Sequence, residues 1–334
     1  MTAPDATGCA GRFPLRWVLR LLATVAALAL LAWWLPFDQL WSSIRSVPLA
    51  MWPVAIATYL GAHLLGVVKW RLLVNTAGAG LGARQAVHAY YWGLFGNLFL
   101  PSLVGGDVVR AGVAMRHARS RSAIVLGSLV DRVQDVIGLG AIAAVGAMLA
   151  PRALDDTSRR IFVAFLLIMG VGAVAGLLML RFFPARRVPF RIRRLLVRVR
   201  QALRATAARP GALVTAFTLG IGLQSALILL NWELGRLIGI DIPIHVWFFV
   251  WPLAKMAGLA PVTQGGIGVR EAAQAALFAP FGVSAVQAVA TGLVFEVVII
   301  TGGLLSGGIA LLTRRHPSGK PSAATSAGSI AGRA

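Results

Sequence analysis

Acidic residues are scarce in this chain: 11 Asp and Glu stand against 32 Lys and Arg in 334 residues, and all charged residues together make up only 13%. A soluble domain carries about a quarter, so a soluble fold is excluded. The single cysteine, Cys9, rules out an internal disulfide, and no apolar stretch precedes it, which argues against lipidation. The five histidines, His63, His88, His117, His245 and His316, form no cluster with ligand spacing. Each is expected to be structural or interfacial rather than catalytic. A phosphate loop is also missing: Gly265-Gly266-Ile267-Gly268 follows no expected strand and lacks the Lys-Ser/Thr such a loop needs. Neither a cofactor nor ATP-driven work by this chain is expected.

What is abundant is apolar sequence, at 58% of residues and a mean hydropathy of +0.78. Runs near the ~20 residues needed to cross a bilayer occur at about 17–36, 51–68, 123–149, 161–183, 211–231 and 284–313. Two more, at about 86–104 and 244–261, end at a decapeptide that occurs twice: PSLVGGDVVR from Pro101 to Arg110 and PVTQGGIGVR from Pro261 to Arg270. In each copy a Pro halts a helix, a Gly pair turns the chain, and a fresh helix carries Arg in its first turn. The first run follows Arg12, Arg16 and Arg20 as a signal peptide would, but Ala32-Trp33-Trp34-Leu35-Pro36 offers no cleavage site, so it reads as a retained helix.

The net charge of +21 would suit nucleic acid, but its placement does not. Ten Arg and no acid fall between Arg181 and Arg209, with Ile192, Leu195, Leu196, Val199 and Leu203 at helical spacing. No aromatic interleaves between Arg191 and Arg209, so a basic helix on an anionic leaflet is expected, and no nucleic-acid partner. If all eight apolar runs crossed the bilayer, this segment would lie outside, against the positive-inside rule. If the runs at 86–104 and 244–261 enter and return by one face, six crossings remain. The N-terminus, 69–84, 110–121, 181–209 and the tail then all lie inside. The expectation is an all-α polytopic membrane protein with about six transmembrane helices and two re-entrant broken-helix hairpins in an inverted repeat. Its divisions are a cytoplasmic N-terminus (1–16), a first membrane half (17–149) with a re-entrant loop near 86–120, a second half (150–313) with the basic segment 181–209 and a re-entrant loop near 244–282, and a disordered cytoplasmic tail (314–334). Trp70-Arg71-Leu72 and Trp232-Glu233-Leu234, 31 and 29 residues before the respective prolines, support the repeat.

Each Gly turn presents helix N-H groups and the positive end of a helix dipole, with an arginine one turn in. Gly105, Gly106, Asp107 and Arg110, and Gly265, Gly266, Gly268, Arg270 and Glu271, therefore suit an anion such as a lipid phosphate. Alternatively both arginines pair with acids and hold the broken helices in place; the matched pair tips the reading towards substrate. Further ionisable residues in apolar sequence are Asp131, Arg132, Asp135, Lys255 and Glu296. Asp131 and Asp135 share a helical face and are expected to accept an arginine, Arg110 or Arg270, before a metal or a proton relay. Lys255 meets either a headgroup or Glu296. Tyr90, Tyr91, Trp92, Trp247, Phe248 and Trp251 fit an interfacial belt.

GNLFLPSLVGGDVVR followed by the Asp131-Arg132 helix, and PVTQGGIGVREAA near the end, resemble the lysylphosphatidylglycerol synthase transmembrane-region family of flippase-like proteins, over roughly residues 15–313. The resemblance marks Pro101, Gly105, Gly106, Asp107 and Arg110, then Pro261, Gly265, Gly266, Gly268, Arg270 and Glu271. Where the family often has proline this chain has Gln264, which predicts a gentler second bend. No soluble aminoacyl-transferase domain is expected after Thr313. The resemblance implies an integral bacterial membrane protein that acts on lipids and moves them between leaflets; with the charge parity, which puts both termini in the cytoplasm, the expectation is a multi-pass inner-membrane protein moving an anionic phospholipid or polyprenyl-type lipid. The competing expectations are a membrane-embedded lipid-modifying transferase and an accessory subunit of a lipid or glycolipid synthase. Expected partners are membrane lipids, and a second copy or a separate lipid-synthesis enzyme.

The charge parity yields a test of topology. In a Cys9→Ser background, Val104→Cys and Ala118→Cys should both be labelled by a thiol reagent from the cytoplasmic side. Labelling of residue 118 from the periplasm of intact cells would remove the first re-entrant loop, and the inverted repeat with it.

Overall fold

The computed structural model describes residues 37–100, 105–149, 208–258 and 266–313, with the single residues 160, 197 and 263 besides. The described residues form nine α-helices and no strand, as an all-α polytopic membrane protein requires. They are α1 (Phe37–Arg45), α2 (Met51–Thr76), α3 (Ala83–Phe99), α4 (Gly105–Met115), α5 (Arg121–Leu149), α6 (Pro210–Leu237), α7 (Ile244–Ala257), α8 (Val269–Phe278) and α9 (Ala285–Leu312). Four of these, α2, α5, α6 and α9, are long and apolar enough to cross a membrane. With 26 to 29 residues each, at about 1.5 Å per residue they exceed a hydrocarbon core of about 30 Å. The expected runs at 17–36 and 161–183, nearly all of the basic segment 181–209, Pro101, Pro261, Gly265 and the tail lie outside the described residues.

From α2 to α5 the lengths run long, short, short, long, and from α6 to α9 they do so again. Local chemistry fixes the joints. After α2 the chain turns through Gly78 and Gly80, both at positive φ. Asn75 clamps that turn by accepting the Leu81 N-H at its Oδ1 (2.6 Å) and donating from Nδ2 to the Leu81 carbonyl (2.9 Å). Pro210 opens α6 at a position where no amide hydrogen is needed, and the Ser284 hydroxyl accepts the Gln287 N-H to cap α9. Helix α1 is short and amphipathic: Leu40 is buried, while Trp41 is exposed and lies under Arg45 at 4.7 Å.

Hydrogen bonds sort the joints into two ends. At one, the Arg119 N-H donates to the Ala79 carbonyl (2.9 Å) and Arg84 Nε to the Thr313 carbonyl (3.1 Å). At the other, the Ser46 hydroxyl donates to the Leu237 carbonyl and Gln287 Nε2 to the Gly239 carbonyl, each at 3.1 Å. The pair α3–α4 thus starts and finishes at the first end, and α7–α8 at the second.

Packing crosses between the two sets. Helix α5 of the first leans on α7 of the second, with a Cβ at Gly146 falling 2.6 Å from the Phe249 backbone nitrogen. Reciprocally, α9 lays Gly303 and Gly307 on Leu98 and Phe95 of α3. Small residues let helices approach where lipid supplies no hydrophobic drive between them. The span expected at 51–68 continues to Thr76, so Lys69 and Trp70, read from sequence as the start of a cytoplasmic basic stretch, lie inside α2 and are buried.

Gly146 and Gly140 lie on the same helix and predict opposite outcomes. Gly146→Leu meets backbone and should lower stability by about 1–3 kcal/mol. Gly140→Ala meets nothing within 4 Å and should hold or raise stability by up to about 1 kcal/mol. Thermal melts of the detergent-purified variants check both.

Candidate functional site

A cavity of about 470 Å³ opens in the middle of the bundle, taking lining residues from all four long helices and from the short ones between them. Its inner wall is charged. Its rim is apolar, and Phe99, Ile300 and Leu304 there are also exposed on the outer surface of the bundle, by 58%, 41% and 51%. Exposed apolar side chains of α3 and α9 thus border the charged cavity.

The charged wall is built around Asp131, which is buried on α5. Its Oδ1 lies 3.1 Å from Lys69 Nζ on α2, and its Oδ2 accepts from Arg110 Nη2 on α4 at 3.0 Å. Lys69 also donates to the Asp131 carbonyl (3.2 Å) and pairs with Asp135 one turn further on. Arg110 pairs with Asp107 at 2.9 Å, and Asp107 is held in turn by Arg132. Three cations and three carboxylates thus form one closed network. The Arg110 guanidinium is also sandwiched by rings, 4.7 Å from the Trp70 centroid and 5.2 Å from that of Tyr90.

The second set builds a smaller counterpart. Arg270 Nη2 donates to Glu271 Oε1 and to Glu296 Oε2 on α9, both at 2.6 Å. In each set, then, an arginine of the second turn of α4 or the first turn of α8 reaches a carboxylate on the following long helix: Arg110 to Asp131, Arg270 to Glu296. Both glycine turns are packed tightly. A Cβ at Gly106 would fall 2.3 Å from the Gly93 carbonyl oxygen, and one at Gly266 would fall 2.5 Å from that of Gly258. Gly105 is buried against Leu100, and Gly268 adopts φ +86° at the start of α8.

Several sequence expectations change here. Two of the amides expected to face an anion already have protein partners: the Gly106 N-H donates to Asn97 Oδ1 (2.8 Å) and the Gly268 N-H to Glu271 Oε2 (2.6 Å). Of the two candidate partners for the α5 carboxylates, Arg110 is the one in contact, while Arg270 is spent on Glu271 and Glu296. Asp107 does not stand alone as a cap but bridges Arg110 and Arg132. Lys255 does not pair with Glu296. Its Nζ donates to Gln224 Oε1 (2.8 Å) and sits 4.8 Å from the Trp251 ring centroid. Among the described residues it is the one cavity cation with no carboxylate within ion-pair distance. Nor do the aromatics make a belt: Tyr90, Tyr91, Trp247 and Trp251 are buried, and Tyr90 and Trp251 line the cavity.

Sequence reasoning passed over Lys69, Tyr59, His63, Asn97 and Gln224, all of which line the cavity. A signal for Lys69 was present: Ala62, Gly66, Lys69 and Leu73 form a helical stripe, and all four are buried. Gly66 in that stripe leaves room for the Tyr90 hydroxyl, which lies 3.3 Å from His63 Nδ1.

This geometry separates the arginines from the lysine in a stability measurement. Arg110→Gln and Arg270→Gln each leave buried carboxylates short of a cation and should cost roughly 3–5 kcal/mol. Adding Asp131→Asn to Arg110→Gln should recover part of that loss. Lys255→Gln leaves no carboxylate behind and should cost about 1 kcal/mol or less. Melting curves of the purified variants give the comparison.

The comparison with known proteins accords with this architecture. No curated protein matches the chain. A family model, described as the lysylphosphatidylglycerol synthase TM region, matches residues 17–307 and so takes in both glycine turns and every charged residue of the cavity. The chain belongs to the lysylphosphatidylglycerol synthase TM region family.

Proposed function

We propose that this protein is a lipid transporter of the flippase type, moving a phosphate-bearing lipid between the leaflets of a bacterial inner membrane. The observation that carries the reading is the combination, in one cavity, of a charged cluster with apolar side chains that are exposed on the surface of the bundle. A water-soluble substrate has no use for a cavity bordered by exposed Phe99, Ile300 and Leu304. A lipid does: its headgroup reaches the charges while its tails stay in the bilayer. The positions of the short helices support the same reading. One pair starts and finishes at one end of the bundle and the other pair at the opposite end, as two re-entrant hairpins of an inverted repeat would, with the substrate site between them.

Within the cavity the headgroup phosphate meets Lys255 first. Lys255 has exchangeable partners, a neutral amide and an indole face, whereas Arg110 and Arg270 are neutralised by carboxylates. The two arginines, with Gly105, Gly106, Asp107, Gly266, Gly268 and Glu271, shape the walls on either side and supply further donors once a phosphate displaces a carboxylate oxygen. Transport is favoured over group transfer because Asp107, Asp131, Asp135, Glu271 and Glu296 are each held by a cation. A general acid or base needs a proton in motion, and a carboxylate locked in an ion pair is poorly placed to supply one.

Proteoliposomes carrying fluorescent phosphatidylglycerol, with dithionite quenching of the outer leaflet, test the reading. The wild type should expose inner-leaflet probe faster than protein-free vesicles. Lys255→Gln should slow it by roughly 10–100-fold, the loss of a charge-assisted hydrogen bond worth about 1.5–3 kcal/mol, with its melting temperature retained. A wild type indistinguishable from empty vesicles with every phosphate-bearing lipid tried, phosphatidylglycerol, cardiolipin and polyprenyl phosphate, would overturn it.

A further inference from the structure

The central cavity, at about 470 Å³, has the size of a site that encloses a whole small molecule rather than a single phosphate group. Four polar side chains from four helices line it besides the cations: Tyr59 of α2, Asn97 of α3, Gln224 of α6 and Glu296 of α9. Each is held in place and has one polar atom left over. Asn97 uses its Oδ1 to accept the Gly106 N-H, which leaves Nδ2 free, and Gln224 uses its Oε1 to accept from Lys255, which leaves Nε2 free. Glu296 accepts from Arg270 at Oε2, and its Oε1 has no hydrogen-bond partner among the described residues. Tyr59 is wedged by its ring, which meets the His63 ring edge to face at 4.6 Å and lies where a Cβ at Gly302 would fall, 2.5 Å from its Cδ1. Its hydroxyl is within electrostatic reach of Glu296 and Arg270 and has no hydrogen-bond partner among the described residues. None of these four atoms is sealed in the protein interior, as the Trp251 Nε1 is.

We infer that the headgroup taken into this cavity is polyhydroxylated, a sugar or cyclitol joined to the lipid through its phosphate. The inference rests on the transport reading, in which the phosphate itself meets Lys255. What the four remaining atoms want decides the rest of the headgroup. Two are amide donors, one is a carboxylate acceptor, and the tyrosine hydroxyl is both. A further phosphate offers acceptors alone, so it would meet the amides and be repelled by Glu296. An ammonium offers donors alone, so it would meet Glu296 and leave both amides unsatisfied. A hydroxyl donates and accepts, and a ring bearing several of them can answer all four atoms at once. Because the four groups are fixed in advance by their other contacts, a headgroup without hydroxyls leaves them desolvated and unpaired, which is the condition under which a site discriminates strongly against an analogue lacking the group.

A charge-matched series of lipids in the dithionite assay tests this. Acyl-labelled phosphatidylmethanol, phosphatidylglycerol and phosphatidylinositol share one phosphodiester charge and the same tails, and differ in an increasing number of hydroxyls. The wild type should move phosphatidylinositol fastest and phosphatidylmethanol at least about tenfold more slowly, as the loss of one or two hydrogen bonds to preorganised groups requires. Tyr59→Phe removes only the hydroxyl and should narrow that gap severalfold by slowing phosphatidylinositol. Phosphatidylmethanol moved as fast as phosphatidylinositol by the wild type would overturn the inference and leave the transport reading standing, as would movement of cardiolipin or polyprenyl phosphate with none of these three. No movement of any lipid overturns both. A gap that folded Tyr59→Phe leaves intact overturns the assignment of these groups, and if that variant loses its fold the wild-type series alone decides.

Discussion

The carboxylate of Asp131 is the point on which the first half of this bundle depends. It is shared between Lys69 and Arg110, which belong to different helices, so three elements, α2, α4 and α5, are tied together through one side chain. Each of these three groups would be unstable alone in a surrounding of low dielectric. Together they satisfy one another, and the arrangement is cooperative, since taking away Asp131 leaves both Lys69 and Arg110 short of the carboxylate they share. Helix α4 has only 11 residues and is polar at its start, too short to hold its place by apolar burial alone. Arg110, clamped between Asp107, Asp131 and the rings of Trp70 and Tyr90, fixes its depth.

The second half solves the same problem with fewer charges. At the position matching Lys69, counted from Trp70 and Trp232, stands Asn231, also buried. The carboxylates there number two, both on Arg270. Around the cavity as a whole, the first half is balanced at three cations to three carboxylates. The second has one carboxylate beyond its arginine, which Lys255 offsets without touching it. The two sets of helices share an order of lengths and differ in charge, so the field across the cavity is asymmetric.

Much of this was legible in the sequence, and the misses have a common cause. Apolar run lengths located α2, α5, α6 and α9, and the two decapeptides located both short-helix joints, because these features follow from local composition and from Pro and Gly stereochemistry. Asp131, Arg132, Asp135, Lys255 and Glu296 were recognisable because a charge in apolar sequence has few roles. Who pairs with whom was not, since Arg270 and Lys255 lie 15 residues apart and both could have reached Glu296. Lys69 was misread for a related reason. A basic residue near the end of an apolar run looks like a topology marker, and only the continuation of α2 to Thr76 puts it inside. Tyr90 and Trp251 were taken for interfacial aromatics because hydropathy reports how apolar a segment is, not which neighbour it faces.

The pairing of the arginines also bears on how a lipid could leave as well as enter. An unneutralised guanidinium facing a phosphate in a dry cavity would hold it strongly, through two charge-assisted hydrogen bonds in fixed geometry. Transport needs binding that is favourable enough to admit the substrate and weak enough to release it, as conduction through a filter does. With Arg110 and Arg270 engaged by carboxylates, an arriving phosphate must displace an existing partner, so each new bond is offset by one lost. Lys255 on a neutral amide presents a smaller barrier and a single point charge. On the transport reading, the density of ion pairs in the wall therefore tempers affinity rather than creating it, and the site keeps its shape whether or not a headgroup is present.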